Sequence, residues 1–105
     1  MNAYVQGQIV KVPFYFQDPE TRERFTPDDV TVEYGNGSTP AGTMTWVTGG
    51  ATVPAVGAVA MIGTGSFIAE IDTTTLLGII NVQAYGSGGV QGIGLHQFEV
   101  LARYF

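Results

Sequence analysis

The dominant periodicity along the chain is two. From Gln8 to Gln17, Val10, Val12, Phe14 and Phe16 fall on one face, and Ile9, Lys11, Pro13, Tyr15 and Gln17 on the other. Alternation of this kind predicts a half-buried β-strand. Pro13 has no N–H, so an edge position or a bulge is expected there. Val30, Val32 and Tyr34 alternate with Thr31 and Glu33 and predict a second strand. Residues 43–47 predict a third, with Met44 and Trp46 on one side. The small apolar run 56–62 predicts a fourth. Residues 66–72 form a fifth, with Phe67, Ala69 and Ile71 inward and Ser66, Glu70 and Asp72 outward. Residues 79–85 and 92–101 predict the sixth and seventh, the last with Phe98 and Val100 inward. Gly, Pro and Asp punctuate the intervals, and no stretch carries a helical stripe. The pattern is that of an all-β domain, a sandwich or small barrel of seven short strands. Gly92 and Gly94 lie inside the last strand pattern, where glycine marks a bulge or a close backbone approach.

Charge divides the chain unevenly. Residues 34–69 carry no charged side chain, and residues 73–98 carry none either apart from the one histidine, His96. Most of the charge lies between Lys11 and Glu33. Water-facing surfaces ordinarily intersperse charges of both signs. A domain with so few presents a neutral surface or covers part of it with a partner, so the composition speaks about assembly before it speaks about chemistry.

The 105 residues suit one domain, 1–105, with a short tail at 101–105. Hydrophobic content of 45% argues against intrinsic disorder. A net charge of −5 with four basic residues argues against nucleic acid and against an anionic membrane surface. There are no cysteines. No signal-peptide pattern opens the sequence and no apolar run reaches the length of a membrane helix, so folding in a cytoplasm is expected.

Candidate chemistry is sparse. Glu70 and Asp72 lie two apart on one strand face, about 7 Å from one another by strand rise. That spacing suits an inverting carboxylate pair. An outward polar strand face explains them more simply. Asp18, Asp28 and Asp29 match no calcium-loop spacing. Gly63-Thr64-Gly65-Ser66 lacks the Lys and the helix of a phosphate loop. His96 has no cysteine and no motif-borne serine to act with. No enzyme, cofactor or metal is expected.

The aromatic residues offer two readings. Trp46 is a core plug or a sugar-stacking platform, and Met44 on the same face favours the core. Tyr34 and Tyr85 would join it as stacking residues in a carbohydrate-binding or adhesion module. At the C-terminus, Arg103, Tyr104 and Phe105 either continue the last strand or form a docking tail.

The order of these signals resembles the small immunoglobulin-like domains of tailed-bacteriophage virion proteins. The run Val10-Lys11-Val12-Pro13-Phe14-Tyr15-Phe16-Gln17-Asp18-Pro19 comes first, and Thr26-Pro27-Asp28-Asp29-Val30-Thr31-Val32 follows. Next come Gly63-Thr64-Gly65-Ser66-Phe67-Ile68-Ala69-Glu70-Ile71-Asp72, then Gly78 to Gly86, and a closing Phe98-Glu99-Val100. Phe67 stands where the family usually has Tyr, and the Ala- and Gly-rich stretch 49–62 is unusual. The resemblance implies an immunoglobulin-like β-sandwich of about seven antiparallel strands. It also implies a non-enzymatic capsid-decoration or head–tail subunit located in the virion. Its partners would be other virion proteins, with copies of itself as a further possibility. A separate chain of this length favours a decoration or connector subunit over a fibre module. The expected contact residues are Val53, Val56, Val59, Met61, Arg103, Tyr104 and Phe105, with the charged Asp18–Glu33 region facing solvent.

Overall fold

The computed structural model describes residues 2–37, 40–94 and 96–103. Nine strands follow one another among the described residues: β1 (Ala3–Val5), β2 (Ile9–Tyr15), β3 (Asp29–Gly35), β4 (Gly42–Val47), β5 (Val59–Gly63), β6 (Ser66–Asp72), β7 (Gly78–Gly86), β8 (Ile93–Gly94) and β9 (Gln97–Leu101). They form two sheets, one in the order β1-β9-β7-β3-β4 and the other in the order β5-β6-β2-β8. The central strands run in the spatial order of an immunoglobulin Greek key, with β2, β6 and β5 in one layer and β9, β7, β3 and β4 in the other.

The alternation read from the sequence is the alternation of burial. Val10, Val12 and Phe14 of β2 face Val30 and Val32 of β3 and Ile80, Val82 and Ala84 of β7 within one core. Its densest part is aromatic. The Phe67 ring stacks on Phe14 at 5.6 Å between centroids, and meets Phe16 edge-on at 5.7 Å and Trp46 edge-on at 4.9 Å. Phe67 and Phe14 belong to one sheet and Trp46 to the other, so these contacts join the layers. Edge-on and offset pairs of this kind exploit the ring quadrupole in addition to buried area.

Three strand expectations change. The first is β1, too short to show a period; it pairs parallel to β9, and Tyr4 meets Phe98 edge-on at 5.8 Å. The sandwich therefore has nine strands and one parallel pair. The second is the fourth strand of the sequence reading, which begins at Val59 and not at residue 56, because 51–57 is an exposed connection. The third is the last strand, which divides between the layers. β8 pairs with β2, and β9 pairs with β7. Gly94 makes β8 possible, since a Cβ there would lie 2.9 Å from the Phe14 Cα. Pro13 pairs with Ile68 of β6, and among the described residues pairing with β8 begins at Phe14.

The Asp18–Glu33 region carries its charges at the surface, Asp18 and Glu33 half-buried and the rest exposed. Its first turn is closed by the Asp18 carboxylate, which accepts hydrogen bonds from the N–H groups of Glu20 (2.8 Å) and Thr21 (3.1 Å). Those two bonds, Thr21 first, hold the Asp18 carboxyl below the ordinary aspartate range.

Candidate assembly surface

The uncharged stretch 34–69 runs from the end of β3 through β4, the connection from β4 to β5 and β5 itself into β6. β4 is the last strand of one sheet and β5 the last strand of the other, and the two lie against each other at the same side of the sandwich. The middle of this gap in charge, β4 to β5, is thereby one lateral side of the folded domain. Glu33 and Glu70, which bound the gap in sequence, sit on the next strands inward, β3 and β6.

The connection is tied at both ends. The Ala51 carbonyl accepts hydrogen bonds from Trp46 Nε1 at 3.1 Å and from the Met61 N–H at 2.9 Å. Gly57 N–H donates to the Glu70 carbonyl at 2.8 Å, and Val56 bridges to Glu70 in parallel. Between these anchors Thr52, Val53, Pro54 and Ala55 stand in solvent. Val53 is 74% exposed, Val56 54% and Val47, at the end of β4, 60%. Fixing a loop before contact lowers the ordering cost of binding through it.

The contact residues expected from sequence separate accordingly. Val53 and Val56 are on this surface. Val59 is not available, because it points between the sheets and is 2% exposed. Met61 is half-buried against the core, with its sulfur accepting a hydrogen bond from the Thr26 hydroxyl at 3.8 Å. Arg103 is exposed, and Tyr104 and Phe105 lie outside the described residues.

The sugar-stacking trio does not assemble. Trp46 is 4% exposed and packed on Phe67, so it cannot present a face to a ligand. Tyr34 packs on the core, and its ring lies so close to Gly42 that a Cβ there would overlap it. Tyr85 is half-buried and donates its hydroxyl to Glu33 at 2.7 Å, which raises the phenol above its ordinary value.

The carboxylate pair separates too. Asp72 is exposed, and its carboxylate accepts hydrogen bonds from the N–H and hydroxyl of Thr74, which hold its carboxyl below the ordinary range. Glu70, expected outward beside it, is nine-tenths covered where the connection pairs with its backbone.

Two shallow depressions lie elsewhere. One, of about 400 Å³, lies between Glu33, Asn81, Gln83 and His96. Glu33 and His96 are the ionisable side chains of its lining apart from Tyr34. The other, of about 330 Å³, is bordered by Pro13, Tyr15, Ile62 and Ile93 on the outer face of the β2–β6 sheet. Arg24 crosses it, with its guanidinium 3.9 Å from the Tyr15 ring centroid and Nη1 donating to Ser66 Oγ at 2.6 Å. In the sequence Arg24 is only one member of the charged Asp18–Glu33 region. The sign that could have located it is the outward Tyr15 on the neighbouring strand, a natural ring for a guanidinium.

Among the described residues no three His, Asp or Glu side chains gather as metal ligands, and no helix is long and apolar enough to cross a membrane. Comparison with known proteins finds no matching family model, no similar curated protein and no similar solved structure.

Proposed function

We propose that this domain is a structural assembly subunit, of the kind that decorates a phage capsid or joins its head and tail, and that it docks through the β4–β5 side. One observation carries the reading: the uncharged strands β4 and β5 form one side of the sandwich, topped by an anchored, valine-bearing connection. Docking such a surface desolvates no ion and leaves no buried charge unpaired. Apolar burial then contributes roughly 25 cal/mol per Å² of apolar area. The immunoglobulin-like strand order and the sequence resemblance to phage virion domains favour a particle as the setting. The carbohydrate-binding alternative loses Trp46, the residue on which it chiefly stood.

The test is occupancy on particles assembled with and without substitutions at the connection. Val53→Asp with Val56→Glu places two charges on the proposed contact. Both side chains are more than half exposed, so the variant folds with a circular dichroism spectrum like that of the parent. Occupancy is expected to fall at least tenfold. Normal occupancy of a folded double variant would refute docking through this side.

A further inference from the structure

The two sheets have four outer edges, and three are protected by recognised means. β1 is three residues long. β5 is covered by Ala51, whose carbonyl accepts the Met61 N–H. At the fourth strand of that sheet, β8 is two residues long, and β2 beside it carries Lys11 and Pro13. Short strands, covering segments, lysine and proline are the devices that keep sheet edges from pairing with other chains.

β4 has none of them. It is six residues long, Gly42-Thr43-Met44-Thr45-Trp46-Val47, with no charge and no proline. Its register with β3 pairs Asp29 with Val47 and Thr31 with Thr45, so Thr48 lies opposite Asp28. The Thr48 N–H donates to the Asp28 carbonyl at 2.9 Å, which makes that a hydrogen-bonded pair. Bonded and non-bonded pairs alternate in an antiparallel ladder. Trp46, Met44 and Gly42 therefore bond to β3, while Thr43, Thr45 and Val47 direct their N–H and C=O groups at the open edge. Among the described residues only the Val47 carbonyl of these is engaged, accepting the Gly50 N–H at 2.8 Å.

We propose that β4 pairs antiparallel with β4 of a second copy of this chain, about a two-fold axis through Thr45, joining the two five-stranded sheets into one. The proposal rests on the assembly reading, since it places a contact on the same side of the domain. The edge asks for an extended, uncharged, β-branched strand with its own unpaired groups, and among the described strands β4 itself is that strand. With Thr45 on the axis, Thr45 meets Thr45, and Thr43 meets Val47 of the copy. Threonine pairs and β-branched pairs across strands are favourable. No like charges are opposed. Glu33, on the next strand inward, lies about 14 Å or more from its symmetry mate by strand spacing. That exceeds the roughly 8 Å screening length at physiological salt.

An edge pair alone covers less than the roughly 1,200–2,000 Å² of stable complexes. The dimer is accordingly weak in dilute solution and populated where copies are concentrated. Sedimentation of the protein from about 10 µM to about 1 mM is expected to show the mass rising from 11.1 kDa toward twice that value. Exchange of the Thr43 and Thr45 amide protons should slow as the mass rises. Thr45→Pro removes an N–H that bonds nothing within the chain, and edge strands tolerate proline there. It should remain monomeric throughout. Thr45→Lys, which opposes like charges on the axis, should do the same if the proline variant fails to fold. A parent that stays monomeric at about 1 mM overturns the proposal, as does a folded Thr45→Pro or Thr45→Lys protein that dimerises like the parent. So does a dimer whose Thr43 and Thr45 amides exchange freely. A monomeric parent whose particle occupancy still depends on Val53 and Val56 would overturn the self-pairing and leave the assembly reading standing.

Discussion

Replacing Phe67 with alanine removes the ring that joins the two sheets beside Trp46. Phe67 is fully buried, and its ring lies within 5.7 Å of the centroids of Phe14, Phe16 and Trp46. Truncating a buried phenylalanine costs about 3–5 kcal/mol, through lost transfer energy and the cavity left behind. The upper part of that range applies, because the cavity walls are three buried rings, Phe14 and Trp46 on paired strands and Phe16 just beyond β2. The ring–ring terms, about 0.5–1.5 kcal/mol each in isolation, are already part of the truncation cost and are not added again. A domain of this size has a total stability of about 5–15 kcal/mol. The substitution should therefore lower the thermal midpoint by roughly 16–40 °C, at about 4–8 °C per kcal/mol for this chain length. Urea unfolding followed by Trp46 fluorescence is a direct assay, since Phe67 packs edge-on against the indole. Phe67→Leu, which keeps most of the volume, should cost about half as much. A loss below about 1.5 kcal/mol for Phe67→Ala, at unchanged denaturant slope, would refute the assignment of Phe67 as the joint between the layers.

Gly65→Ala should destabilise more than Gly49→Ala, by at least about 1 kcal/mol in thermal or urea unfolding. Both positions have positive φ and share the roughly 1 kcal/mol cost of a left-handed residue, but a Cβ at Gly65 would meet the Phe25 carbonyl oxygen at 2.5 Å while Gly49 is open. Thr73→Val should cost about 1–3 kcal/mol in the same measurement. The Thr73 hydroxyl is buried, donates to the Gln8 carbonyl at 2.6 Å and accepts the Gly7 N–H at 3.0 Å, so valine leaves the N–H without that partner. Stability should be flat through neutral pH and fall as pH drops below the ordinary aspartate range. The folded-state carboxyls of Asp18 and Asp72 are depressed, so the unfolded chain takes up protons first and their contribution is lost as pH passes down through the folded values. The double variant Asp18→Asn, Asp72→Asn should flatten that acid limb, and an unchanged limb would show that other groups set it.

Much of the fold was legible along the chain because a two-residue period has only two faces to assign. Val10, Val12, Phe14, Val30, Val32, Phe67, Ala69, Ile71, Phe98 and Val100 are inward as their alternation requires, and all are buried. Trp46 shared a face with Met44 and is core for that reason. What period two does not report is which strands end a sheet. Val59 belongs to an apolar run with Val53 and Val56, and only pairing with Ala69 on β6 turns it inward while the other two remain outside. β1 and β8 are too short to show any period, and their places come from partners far away in sequence. Thr73 gave no signal, since its worth lies in reaching the backbone of residues 7 and 8 across the sandwich.

The sequence alone determined that the domain is all-β, that its core faces are those of the alternating strands, and that a long stretch carries no charge. Those are local properties, written in side-chain identity and spacing. The tertiary structure decided where the uncharged stretch lies. Strand pairing put β4 and β5 last in their sheets, stacked them, and pinned the connection between them at Ala51 and Gly57. Strand order is set by hydrogen bonds between distant segments, so the gathering of β4, the connection and β5 into one side with an open edge at Thr43 and Thr45 exists only in the folded molecule.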